Sequence, residues 1–393
     1  MKKLQDLKFN EHQLIKNLVT LMVSWRLLLF IFQVTAMGVL AFKRSFPYVK
    51  ELLKPFGQAI FWQWANFDGV HYLTIVQQGY LNTGFIQAFF PLYPLGVRYL
   101  TAIWQNYLVS GLLLSHLCFL AALAVFYKLL RLDYSANTSF KSLVFLICFP
   151  TSFYFAAFYS ESLFLLLVLL SFWLMRQKRW LVSAICISLA SATRLVGLFL
   201  IPALIWEFWQ VNKLHNPGSK LKSLKMMLAF LIAPTGWLAY SLYLKQHFGD
   251  FFLYAHVQGA YGAQRTSGKI ILLYQVFWRY LKMLLTVQKN SWVYYTVVLE
   301  FLAGAGFLLL LLLAFNKKLR IRWSYLFYAL PAYLLPTLTG TFSSMPRYVL
   351  TLFPAFIVLG SIKNSRVLTL LLFFFLALLW LSTALFTQGY WIG

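Results

Sequence analysis

Nine acidic residues stand among thirty-four lysines and arginines in a chain of 393 residues. With acids so scarce, each one near a membrane boundary is a candidate for chemistry. Asp68 follows an aromatic approach, Phe61 to Phe67, and opens an amphipathic stretch in which His71 lies three residues on, hence on the same helical face. A carboxylate there caps the helix start, with Gly69 easing the turn, or acts as a base, and the two roles are compatible. Partial desolvation at the rim of a bilayer raises a carboxylate's pKa and improves it as a general base. Glu161, in FYSESLFLLL, is crowded by the hydroxyls of Tyr159, Ser160 and Ser162, a setting suited either to a sugar or to a solvated turn. Arg194, in ASATRLVGLF, and Arg347, in SSMPRYVL, are isolated cations in apolar surroundings. A guanidinium grips phosphate oxygens through paired donors; the plainer alternative is anchoring by snorkelling. Glu300, in YTVVLEFLAGAG, lies inside an apolar run, either functional or paired with a nearby base.

The elements that must position these residues follow from composition. The chain is 61% hydrophobic, 19% aromatic and 11% charged, against about 45–50% apolar and about 25% charged in a soluble domain. This excludes a disordered chain, a disulfide scaffold and an ordinary soluble enzyme, and leaves a polytopic all-α membrane protein. Cys118, Cys148 and Cys186 sit in apolar runs without metal-ligand spacing, and the six histidines are scattered, so no metal site is expected. Apolar runs near 18–42, 107–128, 141–158, 162–175, 180–193, 195–209, 226–245, 292–315, 322–340, 347–360 and 366–386 predict about eleven membrane helices or half-helices, the pair around Arg194 forming a bent hairpin. The net charge of +25 reads as topology rather than as a nucleic-acid surface. With the basic, amphipathic N-terminus (MKKLQDLKFNEHQLIK, carrying Asp6 and Glu11) in the cytoplasm, alternate short loops hold Lys128, Arg131 and Lys141; Arg176, Lys178 and Arg179; Lys213, Lys220, Lys222 and Lys225; Lys317, Lys318, Arg320 and Arg322; and Lys363 with Arg366. Asp133 and Glu207 join that side, and Arg26 in the first span is within snorkelling reach of it.

On the other side the short loops are nearly bare of cations, with Arg194 and Arg347 as the exceptions. Two longer loops remain there, 43–106 and 246–291, which carry Glu51, Asp68 and Asp250. Their lysines weigh little in the topology, because long loops cross a membrane largely regardless of charge. The stretches FWQWANFDGVHYLTIVQQGY and AFFPLYPLGVRYLTAIW predict helices in the outer interface. The chain is expected to form one membrane domain over 1–393, with these two outer loops as its catalytic face. A carboxylate base, a second acid, two arginines and many rings fit group transfer from a lipid-linked phosphate: the carboxylate deprotonates an acceptor hydroxyl and the arginines stabilise the departing phosphate.

FDGVHYLTIVQQGY followed by AFFPLYP, then FYSESLFLLL, ATRLVGLFLIPAL and MPRYVLTLFP, resembles the ordered blocks of the PIG-V-like mannosyltransferases, the family of GPI mannosyltransferase II and its bacterial relatives. The blocks run from about residue 62 to 354. The resemblance implies a GT-C glycosyltransferase that moves a hexose, mannose in this family, with inversion, from a polyprenyl-phosphate sugar to a glycan, glycolipid or protein acceptor, without cofactor or metal. It implies Asp68 as base, and His71, Tyr72, Tyr80, Ser160, Glu161, Arg194, Arg347 and Tyr348 as substrate-binding residues. Phe67 stands where the family often has Trp, and LNTG follows Gly79–Tyr80 where eukaryotic members commonly carry Glu. The compact chain favours a bacterial relative in the plasma membrane, with an extracytoplasmic site. A transporter or flippase of lipid-linked sugars explains the spans and arginines as well; Glu300 and Pro234 are its hints.

Overall fold

A computed structural model describes residues 11–44, 48–214, 220–262, 265–266 and 269–392, with side chains left undescribed at 11–12, 104, 214 and 220–223. Asp6 and the N-terminal lysines lie outside the described residues. Among those described there are helices and turns but no strand. The helices of eight residues or more are α1 (Glu11–Val39), α2 (Asp68–Gln78), α3 (Leu92–Trp104), α4 (Tyr107–Leu130), α5 (Ala136–Cys148), α6 (Glu161–Arg176), α7 (Trp180–Thr193), α8 (Leu200–Leu214), α9 (Lys220–Ile232), α10 (Thr235–Phe248), α11 (Leu273–Thr286), α12 (Trp292–Leu313), α13 (Trp323–Thr337), α14 (Phe353–Gly360) and α15 (Ser365–Thr387). Among the described residues, six segments are long and apolar enough to cross a membrane: Gln13–Val39, Tyr107–Leu130, Leu195–Lys213, Leu224–Phe248, Trp292–Leu313 and Ser365–Thr387. The chain is a multi-pass membrane protein. The remaining expected runs fold as shorter or interrupted helices.

The interruptions have local causes. The run expected over 141–158 stops being helical at Cys148, because Phe149 precedes Pro150 and is forced into extended backbone (ψ 141°). Arg194 is extended (φ −155°, ψ 142°) and separates α7 from a short turn, Leu195–Phe199, that leads into α8. Gly197 lets that turn fold back against α7: a Cβ there would lie 2.5 Å from the backbone carbon of Ala190. Pro234 divides α9 from α10, since it offers no N–H and clashes with the preceding turn.

Around these breaks the helices pack in neighbouring pairs, α4 on α6, α6 on α7, α5 on α14, α8 on α13 and α1 on α15. α1 turns Leu14, Leu18, Met22, Trp25 and Leu29 inward and leaves Val23, Leu27, Ile31 and Val34 exposed, the all-round apolar pattern of a span between protein and lipid. Arg26 departs from the snorkelling expectation. Its guanidinium lies 4.4 Å above the Trp64 ring, and Trp64 in turn donates from Nε1 to Gln33 Oε1 at 2.9 Å. The segment before α2 thus folds down against α1 and presents a ring to the cation.

Both stretches expected to be helical in the first long loop are so. α3 leaves Leu95, Tyr99 and Ile103 exposed, whereas α2 is enclosed by protein from Asp68 to Val76 except at His71. Phe67, not Asp68, occupies the cap position of α2, and Asp68 is its first helical residue. The turn is made by Phe67 at φ 59°, a strained position for a residue with a side chain, costing on the order of 1–3 kcal/mol.

Close backbone contact fixes α10 on α7, because a Cβ at Gly236 would lie 1.9 Å from the Ser188 carbonyl oxygen. Gly236→Ala is expected to destabilise the fold by about 1–3 kcal/mol, read as a lower thermal transition of the detergent-solubilised protein. Gly306→Ala, on α12 with open space around it, is expected to leave that transition unchanged or slightly raised.

Candidate functional site

Four charges meet at one end of the helix bundle, three of them buried and Arg194 partly so. Asp68, 8% exposed, begins α2, and Arg347, 5% exposed, lies in the short turn Met345–Tyr348. Arg347 donates from Nη1 to Asp68 Oδ2. Its Nε lies 3.4 Å from Glu161 Oε1, and the same oxygen is 3.2 Å from Arg194 Nη1. Glu161, 1% exposed, is the first residue of α6, where the helix dipole favours an anion. The order Asp68, Arg347, Glu161, Arg194 alternates in sign and sums to zero charge.

Rings and hydroxyls hold the chain of charges in place. Arg347 lies 5.6 Å from the ring centres of Tyr154 and Tyr159 and 5.4 Å from that of Tyr348, within cation–π range. Arg194 lies 5.2 Å from Tyr348 and 5.8 Å from Phe164. The Asp68 N–H donates to the Tyr159 hydroxyl at 3.2 Å, and that hydroxyl donates to the Asn66 carbonyl at 2.8 Å. Asn66 Nδ2 donates to the carbonyls of Phe386 and Thr387 at the end of α15. Tyr72 and Ser160 share a hydrogen bond of 2.8 Å.

A cavity of about 610 Å³ opens onto this cluster, lined by Asp68, His71, Tyr72, Arg194, Arg347 and Tyr348. Glu161 and Ser160 are not in its wall; they sit behind the arginines and tie them down. Tyr80 lies elsewhere: its hydroxyl donates to the Phe89 carbonyl at 2.7 Å, and its ring packs 5.5 Å from Tyr240 in a separate groove. His71 stacks on Phe89 at 5.1 Å and meets Tyr261 edge-on at 5.7 Å. Burial alone would push the Asp68 carboxyl up, but the charges of Arg347 and His71 and the Arg347 hydrogen bond hold it below the usual carboxylate range. Burial pushes His71 down, partly opposed by Asp68.

The same wall contains residues that sequence reasoning passed over. Arg265, Arg279 and Tyr280 come from the segment 246–291, as do Gln258 and Tyr261. Arg265 Nη2 donates to Ser344 Oγ at 3.0 Å and to the Ser343 carbonyl at 3.2 Å. Arg265 and Arg279 are cations on the side where short loops have almost none, but their loop is long, and cations in a long loop carry no topological signal. Glu300 also lines the cavity and accepts from the Tyr280 hydroxyl at 2.5 Å. Asp250 is outside it, paired with His256 at 2.6 Å near the surface, and Glu51 is exposed.

A second cavity, of about 290 Å³, adjoins the first. It shares Arg194, Gln258, Arg265, Ser343 and Tyr348 with it and is otherwise walled mainly by apolar groups, among them Leu195, Val196, Ala332, Leu335 and Pro336. A chamber with two carboxylates, Asp68 and Glu300, therefore joins a second cavity lined by no carboxylate, and the two meet at Arg194 and Arg265. The arrangement suits a ligand with an anionic joint between a polar head and an apolar tail.

The ion pairs behind the chamber wall are open to a direct check. Removing one partner of a buried pair leaves the other charge uncompensated, at a cost of about 3–5 kcal/mol. Glu161→Gln is expected to lower the thermal transition of the purified protein sharply. Glu161→Gln combined with Arg194→Gln should cost less than the two changes added, by more than about 0.5 kcal/mol; strict additivity would show the pair to be idle.

No protein-family model matches the chain, and no curated protein matches it. In fold it is similar to the crystal structure of ArnT from Cupriavidus metallidurans bound to undecaprenyl phosphate, with a TM-score of 0.50 and 13% identity over 94% of this chain and 76% of that one. The fold is all-helical and GT-C-like.

Proposed function

We propose that the protein is a membrane glycosyltransferase that uses a polyprenyl-phosphate sugar. The observation that carries this reading is the junction of the two cavities, where Arg194, Arg265 and Tyr348 stand between a chamber that holds two carboxylates and a second cavity that holds none. The GT-C-like fold supports it, since the solved relative was bound to undecaprenyl phosphate. The sequence blocks shared with the PIG-V-like mannosyltransferases favour mannose as the hexose, an inverting transfer and an extracytoplasmic site, in a bacterial plasma membrane. The segments 43–106 and 246–291 both contribute to the chamber, which supports them as the catalytic face of a single domain.

In this scheme the prenyl chain lies along Leu195, Val196 and Leu335. Its phosphate meets Arg194 and Arg265, with Arg347 behind, and the sugar projects into the chamber. Tyr72 and His71 position sugar or acceptor. Asp68 takes the proton of an acceptor hydroxyl as that oxygen bonds to the anomeric carbon. The bond from the anomeric carbon to the phosphate oxygen breaks, and its electron pair leaves with the polyprenyl phosphate. Guanidinium groups stabilise that charge where it develops. Glu161 acts through the arginines it holds, and Tyr80 supports the floor of the Phe89 ring.

The test is a proteoliposome assay with the full chain and mannosyl polyprenyl phosphate, following sugar transferred to acceptor and, separately, sugar lipid moved between leaflets. Transfer within one leaflet is expected. Movement without transfer would establish a flippase instead. Asp68→Asn, at normal expression, is expected to reduce the transfer rate by about 10²–10⁴-fold; near-full activity would remove Asp68 as the base. Asp68 must be ionised to act, and its pKa is lowered from 3.8. The rate should therefore show no acid limb from this group between neutrality and about pH 4. The same sign applies to stability: its contribution is present above the unfolded pKa and is lost as pH falls through the folded one.

A further inference from the structure

The end of the bundle opposite Asp68 carries a second concavity that the proposed transfer does not use. It has a volume of about 470 Å³ and is lined at three helix junctions: residues 133–141, from the α4–α5 turn into the first turns of α5, 318–320 between α12 and α13, and 360–363 from the end of α14 toward α15. Four cations line it: Lys141, Lys318, Arg320 and Lys363. Its one acid, Asp133, is already engaged by both terminal nitrogens of Arg176. Lys141 donates to the Ile362 carbonyl at 3.3 Å, which holds two of the junctions together and leaves its charge unmatched. The concavity is therefore a cage of positive charge, and it calls for an anion with several acceptor oxygens.

Its place selects the kind of anion. α6 runs from Glu161 in the Asp68 cluster to Arg176 beside this concavity, about 24 Å at the helical rise, so the two sites lie near opposite faces of a membrane. Apolar side chains exposed beside it, Phe140 next to Lys141, Phe315 three residues before Lys318 and Val367 four after Lys363, offer a path for acyl chains. Basic pockets between membrane helices on the cytoplasmic side take anionic headgroups. We propose that this concavity binds the headgroup of an anionic glycerophospholipid of the adjoining leaflet, with its phosphate among Lys141, Lys318, Arg320 and Lys363. Such a lipid ties together three junctions among six helices, and so couples the stability of the bundle to membrane composition.

The experiment titrates the detergent-purified full chain with dioleoyl phosphatidylglycerol, dioleoyl phosphatidylcholine or inorganic phosphate. Bound lipid is counted by native mass spectrometry and the thermal transition is followed. Phosphatidylglycerol is expected to bind at least about tenfold more tightly than phosphatidylcholine and to raise the transition. The triple variant Lys318→Gln, Arg320→Gln, Lys363→Gln is expected to lose at least about tenfold of the phosphatidylglycerol affinity. A control with the same loss of charge elsewhere, Lys16→Gln, Lys178→Gln, Arg179→Gln, should retain it. The charge-conserving variant Lys318→Arg, Arg320→Lys, Lys363→Arg should also retain it. Equal binding of phosphatidylcholine, an unchanged triple variant, or equal loss in the control would overturn the proposal. So would inorganic phosphate that displaces the lipid and reproduces its stabilisation, which would make this a site for a soluble anion.

Discussion

The alternating chain Asp68–Arg347–Glu161–Arg194 is the constraint from which the surrounding structure follows. Three of its members are buried, and buried charges are tolerated only when opposite charges match them. Each member comes from a different part of the sequence, so matching them requires four breaks in regular structure to converge. These are the strained turn at Phe67, the start of α6, the extended residue Arg194 and the left-handed Ser344 (φ 65°) that opens the turn carrying Arg347. Irregular backbone at membrane depth survives only where protein or a cavity surrounds it. Here tyrosines supply the enclosure, and the cavity lies on the open side. The breaks that make this chain read as eleven uneven runs, rather than a set of uniform spans, are therefore what builds the site.

The scarcity of acids sorts itself along the same lines. At the far end, Glu207 is fully engaged, by Arg322 at 2.8 and 2.9 Å and by Ser324 at 2.5 Å, and Asp133 by Arg176. Those pairs lock neighbouring helices together. Asp68 and Glu300 differ from both in lining the chamber that the arginines close. Asp68 is held there by Arg347 and Glu300 by the Tyr280 hydroxyl. Charge pairing alone does not mark a site in this protein; pairing beside an opening does.

Much of this was legible in the sequence, and the unread part has physical causes. Composition and apolar runs gave the membrane class, and the bias of cations toward one set of short loops isolated Arg194 and Arg347. Asp68 was singled out by its aromatic approach. Its partner was not visible, because the pairing spans 279 positions and no local pattern encodes it. Arg265 and Arg279 carry no topological signal, because they lie in a long loop, and that loop folds back over the cavity. Tyr80 continues the motif of Asp68, yet the end of α2 carries it past the chamber to Tyr240. Arg26 was read from its depth alone, whereas the Trp64 ring above it arrives from another segment. In each case the sequence specified a side chain's chemistry and its local element, and tertiary packing chose its neighbour.

The pairing of Asp68 with Arg347 bears on how the proposed transfer divides its work. A carboxylate held below its usual range is ionised throughout the neutral region, so it is always ready to accept a proton, but it accepts one weakly. A weak base in such a displacement cannot drive the reaction by early deprotonation of the acceptor. Proton transfer must come late, once the acceptor oxygen has begun to bond to carbon and its own acidity has risen. The barrier then rests chiefly on departure of the phosphate, where Arg194 and Arg265 line the junction and Glu161 holds Arg194 in place. The base and the anion-binding wall are consequently one device: Arg347 joins them, lowering the pKa of the carboxylate on one side while it is steadied by Glu161 on the other. A change at any one of the four charges should be felt at both ends of the reacting bond.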